Sequence, residues 1–588
     1  MAKEERDFRI IGKKAILHIE DRVCETPAEL FQSRAFREVL QRAIQELRKK
    51  NSPLLKFFAH QDDEEKNIAL LVQVLQMLTK VPLDIVPKVL PETENFLRYR
   101  MELHGFVEYL YNFWRGFDRF IVSVSEHRNL DKRPYRTFNA TIETLTHLVR
   151  STYRDIQENI ANRHPRVYRQ VRAGANISVI AVPQAIPLPS PYREKLEGIP
   201  VVRQILLHPP LILEPPMNKR TGRFEKIAAD PLAKLEFSKR EWIAYPAKVG
   251  PLLILIYVHE KFYELGFSLC NLFELAEDED LKRKPDAIYA FGVPKEAVEG
   301  LAPFPTVFFD DEEREILVAA CPNQDEFGYF GYLKKMVLTL HNIVMMKRGR
   351  LPFHGALVRF TFISGVEVTL LLIGDTGAGK SETLEAFRIL DEERVSDMSI
   401  IADDMGSLQI EGDTVRGYGT EIGAFLRLDD LQPGYAFGQI DRAIIMSPSK
   451  INARVVLPVT SFDKVMAGYP VDVILYANNY EEVDEEHPII ERFTTPEEAL
   501  RVFAAGAVMS KGTTTSTGIV HSYFANIFGP PQYRKLHDGL ASRFFDEFFR
   551  LGLFVGQIRT RLGIPGWEQK GPEEAARELL RILEEKKW

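Results

Sequence analysis

Cysteine is scarce in this sequence. Only Cys24, Cys270 and Cys321 occur among 588 residues, too widely spaced for a disulfide framework or a zinc-ligand pattern. That scarcity fits a reducing compartment. Long apolar runs are missing as well. The longest, at 249–258, is short and interrupted by Gly250 and Pro251, so it cannot span a bilayer. The opening MAKEERDFRI is charged and lacks the apolar centre of a secretion signal. A cytoplasmic protein with no membrane association is the expectation. An excess of positive charge is absent too: the formal net charge is −7. Nucleic-acid binding is not expected, because phosphate neutralisation needs clustered Lys and Arg. Neither an internal repeat nor a low-complexity tract is present, and the acidic stretch at 481–486 reads as a solvated loop.

What is present suggests more than one domain, since a chain of this length exceeds one ordinary core. Hydrophobic residues make up 45% and charged residues 27%, close to the soluble globular average. Residues 27–50, 64–79, 92–125 and 136–162 carry apolar positions three and four apart, the helical period. Phe138, Ile142, Leu145, Leu148 and Tyr153 form one such stripe. It reads as the buried side of a helical bundle, ahead of a partner-binding or self-associating face. Prolines crowd 182–216, which marks a linker or domain edge. Beyond it, short apolar runs at 252–258, 287–291, 306–309, 316–320 and 368–373 alternate with helical segments, as in an α/β unit. The expected division is a mostly α-helical N-terminal domain at 1–180, a linker and substrate-binding α/β domain at 181–350, and a nucleotide-binding domain at 351–588.

The apolar run TLLLI at 369–373 leads directly into GDTGAGKS at 374–381, and a helical segment follows. This is the phosphate-loop pattern in its strand–loop–helix setting. Backbone N–H groups of Gly374, Asp375, Thr376, Gly377, Ala378 and Gly379 would ring phosphate oxygens. Lys380 would reach the β- and γ-phosphates, and the Ser381 hydroxyl would hold Mg²⁺. Asp403 and Asp404 close the run at 398–402, 23 and 24 residues after Lys380. Adjacent carboxylates at a strand end can hold Mg²⁺, ligate a second cation or act as a base.

These residues resemble the superfamily of phosphoenolpyruvate carboxykinase and HPr kinase/phosphorylase. Both branches share a His-containing strand upstream of the loop, here LPFHGALV with His354, and the paired-aspartate strand. Several segments are similar to the ATP-type carboxykinase. YFGYLKK at 329–335 resembles YxGExKK and ends 19 residues before His354. GTEIG at 419–423 resembles an NxEGG turn, NARVVLP at 452–458 resembles NTRxxYP, and PIIER at 488–492 resembles a PxxR lid. Lys511 begins a segment like the adenine-side loop, and TGR at 221–223 matches the start of the family's substrate domain. The resemblance covers roughly residues 220–563. Departures are Tyr332 for the motif's Glu, SET after Lys380, and Met405-Gly406 after the aspartates.

The resemblance implies an α/β (α+β) carboxykinase-like core carrying the phosphate loop, behind the helical domain. The implied activity is reversible conversion of oxaloacetate and ATP to phosphoenolpyruvate, CO₂ and ADP. It implies Lys335, His354 and Asp404 as ligands of Mn²⁺, with Ser381 holding Mg²⁺ beside the nucleotide. Arg223 and Tyr329 would bind the substrate acid and departing CO₂. Arg454 would bridge substrate and γ-phosphate, Lys511 would lie near the purine, and residues 478–495 would close as a lid. Lys335, Lys380, Asp403, Asp404 and Arg454 form the expected catalytic set. Two other functions compete. One is an HPr kinase-like protein or small-molecule kinase, with an aspartate as base. The other is a nucleotide-gated scaffold whose N-terminal region binds a protein partner.

Overall fold

The computed structural model describes residues 8–19, 23–58, 63–124, 132–168, 171–375, 377–380, 382–383, 386, 394–428, 440–509 and 518–585, with backbone alone at 132–137. Two compact units result: Met1–Gln184 with Pro200–His208, and Ala185–Ile199 with Pro209–Trp588. The expected division between residues 350 and 351 falls inside the second unit.

The first unit holds the expected helices, at Arg34–Lys49, Glu64–Leu78, Arg100–Arg115 and Lys132–Ala161. It also holds a sheet that the helical periodicity concealed, so it is α/β and not a helical bundle. Its order is Phe8–Ile11, Lys14–Ile19, Asp118–Val124, Ile177–Pro183 and Pro200–Leu207. The helix expected over 92–125 stops at Arg115, and past Gly116 the β-branched run of Asp118–Val124 becomes a strand. That strand pairs in parallel with both Lys14–Ile19 and Ile177–Pro183, and parallel neighbours require crossover connections. The intervening helices supply them. Phe138 and Ile142 of the stripe are buried with Ile121 and Ile180 of the sheet, and Leu145 packs against them. Leu40, Ile44, Leu71, Val74 and Phe106 form a separate helix–helix core.

In the second unit, one sheet runs Trp242–Val249, Leu252–His259, Ala287–Val293, Ile316–Pro322, Val307–Asp311, Glu225–Ile227. A second runs Tyr469–Pro470, Thr414–Gly419, Met405–Glu411, Leu351–Phe362, Glu367–Ile373, Val473–Asn478, Phe554–Arg559, Ile490–Arg492. All five apolar runs read as strands in the sequence are strands here. Helix Phe330–Lys347 packs against strands of both sheets. Its residues are apolar on nearly every side, the pattern of a helix with no solvent face, and 15 of its 18 residues are buried.

Strand Leu351–Phe362 sets the geometry of the rest. Its first residues pair with Met405–Glu411 and its later ones with Val395–Ala402, so Asp403 and Asp404 occupy the break between two partners. On its other edge Gly355 pairs with Ile373, the last residue before the phosphate loop. The segment expected to act as a lid is tied at its far end. Ile490–Arg492 is an antiparallel edge strand on Phe554–Arg559. The buried Arg559 guanidinium holds Glu481 at 2.8 Å and Glu491 at 2.7 Å.

His341 lies wholly inside this unit on helix Phe330–Lys347, its Nδ1 2.9 Å from Asn342 Oδ1. Burial pushes its pKa down to about 4, against roughly 6.5 in an unfolded chain. Between those values the unfolded state binds more protons, so stability is full above the unfolded pKa and falls as pH drops toward 4. The chain should lose stability to denaturant between about pH 6.5 and 4. His341→Gln should remove on the order of 3 kcal/mol of that loss. An unchanged acid dependence in the variant would contradict the assignment.

Candidate functional site

The carboxylate of Asp404 is where the second unit's charged side chains meet. Lys334 Nζ lies 2.8 Å from its Oδ2, Lys335 Nζ contacts the same oxygen, and His354 Nε2 lies 3.0 Å from Oδ1. Register explains the convergence. His354 pairs with Met405, and the N–H of Gly355 donates to Asp404 O at 3.0 Å. Lys334 and Lys335 come from the first turns of helix Phe330–Lys347. Lys334 also reaches Glu421 Oε1 at 2.9 Å. His354 Nδ1 meets the carbonyl of Ala525, so both ring nitrogens face oxygen acceptors, one a carbonyl and the other the Asp404 carboxylate.

Buried charges persist only when paired, and the titration shifts record how the pairing is shared. Burial alone would raise Asp404, but Lys334, Lys335 and His354 hold it well below the usual carboxylate range. Burial would lower Lys334, yet Asp404 and Glu421 together hold it above an ordinary lysine. Lys335 shares one carboxylate with Lys334, and there burial prevails and its pKa is lowered. Burial likewise raises Asp403, and pushes Glu421 up to about 7.

The glycine-rich loop after Ile373 begins beside this cluster. The N–H of Gly374 donates to His354 O at 3.2 Å, and Ala378 N to Asp375 O at 3.1 Å. Gly377 and Gly379 take φ of 81° and 96°, the left-handed region that disfavours side chains. A Cβ on Gly379 would stand 2.6 Å from Thr560 Oγ1. Thr560 Oγ1 donates to Ala378 O at 2.8 Å and Asn479 Nδ2 to Gly377 O at 2.9 Å, bracing the loop from outside. Lys380 curls back onto the carbonyls of Gly374 and Asp375, the latter at 3.0 Å. Burial lowers its pKa, opposed by Asp375, Asp404 and Asp403. Thr376, Ser381 and Lys511, assigned to nucleotide or metal above, lie outside the described residues.

On the other side of Lys335 the site turns aromatic and cationic. The Phe528 ring carries Lys335 Nζ at 4.8 Å on its face and the Arg220 guanidinium at 5.3 Å. Tyr329 is 7% exposed. Burial raises its pKa, opposed by the neighbouring Arg454 and Arg220. The Arg454 guanidinium lies 5.5 Å from the Phe425 ring, and its buried Nε has no hydrogen-bond partner among the described residues. Arg223 is placed otherwise. Its side chain is 85% exposed and pairs with Glu225 at 3.1 Å, while Arg220, three residues earlier, turns inward. The sequence reading passed over Arg220, Lys334, Glu421 and Phe528. The doubled Lys and the first Arg of RTGR were visible, but which member of each pair faces inward depends on the helix phase and loop path.

The fold is mixed α/β, and in its second unit the glycine-rich loop that follows Ile373, an aspartate pair and a Lys–His–Asp cluster adjoin. No protein-family model matches the chain, and no curated protein matches it. Among solved structures it is similar to the HPr(Ser) kinase/phosphatase from Coxiella burnetii, at 15% identity over 24% of this chain and 76% of that one, with a TM-score of 0.14. At that score the likeness carries no weight, and the site's own geometry must support any reading. Among the described residues no three His, Cys, Asp or Glu side chains converge as a metal site, so a cation at Asp404 would need the Lys335 amine beside His354 and the carboxylate. The lowered pKa of Lys335 suits that donor role.

Lys334→Met should destabilise the protein by about 3–5 kcal/mol, because it leaves Glu421 unpaired and Asp404 one ammonium short. Lys335→Met should cost less, since Lys334 still neutralises Asp404. Urea denaturation of both variants checks the order, and a larger loss for Lys335→Met would contradict it.

Proposed function

We propose that the second unit transfers a phosphoryl group between a nucleoside triphosphate and a small carboxylic acid, in the carboxykinase manner. The observation that supports this best is the meeting of Lys335, His354 and Asp404 on one point beside the Lys380 loop. A loop that binds triphosphate alone does not require a buried two-lysine, one-histidine cluster against an aspartate. Phosphoryl transfer to an enolate does call for concentrated positive charge between donor and acceptor.

In this reading Lys380 leaves its own carbonyls for the β- and γ-phosphates. Lys335, His354 and Asp404 would hold a divalent cation, which when bound supplies charge stabilisation for an enolate and the γ-phosphate. Arg220 and Arg454 grip the acid, since guanidinium forks match carboxylate geometry, and Tyr329 between them orients it. Arg220 replaces Arg223 in that role. Phe528 keeps water from one face of the acid and fixes the spacing of Arg220 and Lys335. Asp403, raised by burial, favours a second reading. A carboxyl titrating closer to neutrality beside Lys380 would accept a proton from an acceptor hydroxyl, as a small-molecule or protein kinase needs.

With ATP, Mn²⁺ and oxaloacetate the purified chain should form phosphoenolpyruvate. Labelled phosphate appearing only on a hydroxyl acceptor would favour the kinase reading, and neither product would remove both. Lys380→Ala should lower turnover by at least about 100-fold. Arg220→Ala should lower kcat/KM by about 100-fold, while Arg223→Ala should stay within about twofold, as exposed ion pairs usually do. The reverse order of the two arginines would show that the acid does not bind where Arg220 points.

A further inference from the structure

Arg220 and Arg223 share one short loop, yet only Arg220 turns toward the Phe528 ring, while Arg223 points to solvent. The cause lies in what holds the backbone from Arg220 to Phe224. Tyr332 supplies the innermost hold. It occupies the first turn of helix Phe330–Lys347 and is fully buried. Its hydroxyl accepts the N–H of Thr221 at 3.1 Å, with Thr221 Oγ1 at 3.4 Å from the same oxygen. The residue next to Arg220 is thereby tied to the helix that carries Lys334 and Lys335.

The Tyr332 ring has little freedom of its own. It packs against Phe327 and Phe304, with centroids 5.3 and 6.5 Å away, and Tyr289 OH donates to Tyr332 O at 3.3 Å. The rest of the loop is fixed beside it. A Cβ on Gly222 would stand 2.0 Å from Phe304 Cζ, so only glycine lets the backbone pass that ring. Thr306 Oγ1 donates to Arg223 O at 2.8 Å, and Gln532 Nε2 to Phe224 O at 3.1 Å. Arg223 is thus held through its carbonyl, and its side chain stays outside with Glu225.

The inward arginine keeps most of its fork unfilled. Arg220 Nη1 donates to Gly222 O at 2.7 Å, and the guanidinium lies 5.1 Å from the Phe224 ring and 5.3 Å from the Phe528 ring. Among the described residues no carboxylate pairs with it. Burial lowers its pKa, opposed by the neighbouring phenols of Tyr332 and Tyr329. A guanidinium has five N–H donors in a plane that matches a carboxylate, so one bond to a carbonyl leaves room for an acid.

We propose that Tyr332 is a positioning residue for the acid, an inference that rests on the carboxykinase-like reading above. Its hydroxyl fixes the Thr221 backbone so that Arg220, and not Arg223, presents its guanidinium to the carboxylate. Tyr332 acts through the loop and itself touches no substrate.

Phenylglyoxal labelling of the full chain, read arginine by arginine by mass spectrometry, tests this without relying on turnover. In the parent, Arg223 should react quickly and Arg220 slowly. Tyr332→Phe removes one oxygen and keeps the ring packing. It should speed labelling of Arg220 about fivefold, the effect of losing one hydrogen bond, and leave Arg223 and the buried Arg559 at their parent rates. Thr221→Ala keeps the backbone N–H and should label Arg220 like the parent. Oxaloacetate should slow labelling of Arg220 and not of Arg223. Under turnover, Tyr332→Phe should raise KM for oxaloacetate about fivefold and leave KM for ATP unchanged, a split that general loosening of the fold would not give. An unchanged Arg220 rate in Tyr332→Phe would overturn the inference, as would an equal rise at Arg559. Arg220 labelling that oxaloacetate fails to slow in the parent would overturn the acid reading instead, and leave the hold of Tyr332 on the loop standing.

Discussion

One half-buried carboxylate organises the second unit. Asp404, with 15% of its side chain exposed, accepts two ammonium groups and faces an imidazole. Such a cluster is a poor source of net stability, because removing charges from water costs about as much as their attraction returns. Helix Phe330–Lys347 delivers both lysines from between two sheets, and strand Leu351–Phe362 delivers the histidine. The break in that strand's pairing between Val395–Ala402 and Met405–Glu411 leaves the aspartates at the strand end. Moving any of these by one residue would turn a charged side chain into an apolar wall.

The uneven sharing of Asp404 distinguishes the two lysines. Lys334 is held by two carboxylates and stays an ammonium; Lys335 has part of one and is the easier to deprotonate. Adjacent residues on one helix thus divide the work, with Lys334 balancing the buried acids and Lys335 free to exchange its contact for a ligand. Beyond Lys335 the Phe528 face and the inward Arg220 extend the positive surface toward Tyr329 and Arg454. The side chains therefore run from the glycine-rich loop, through the Asp404 cluster, to a group of arginine and aromatic side chains.

Much of this was legible in the sequence because it is local. The GDTGAGKS loop follows its strand with no intervening residue, and the apolar runs at 252–258 and 287–291 announce strands by composition. His354 sits inside one continuous strand, and the aspartates directly follow the strand Val395–Ala402. What stayed hidden depends on long-range contacts. The sheet of the first unit alternates with strongly periodic helices, whose signal overwhelmed short strands such as Lys14–Ile19. Arg223 and Arg220 have similar sequence surroundings, and only the path of the loop past Phe528 separates the exposed one from the half-buried one. Glu421 is an ordinary turn acid until helix Phe330–Lys347 brings Lys334 against it. A cavity in the first unit, walled by residues from Phe8 to Ala175, could not be read at all, since its wall comes from elements spread along most of that unit.

The central claim is that the phosphate loop and the Lys335–His354–Asp404 cluster form one site. Pulsed electron paramagnetic resonance of Mn²⁺ added with ATP tests this directly, because it detects nitrogen and phosphorus nuclei close to the metal. The account predicts one Mn²⁺ population coupled both to phosphorus of ATP and to a histidine nitrogen, with the nitrogen coupling lost in His354→Ala. A Mn²⁺ signal coupled to phosphorus alone, and identical in His354→Ala and Asp404→Asn, would contradict it.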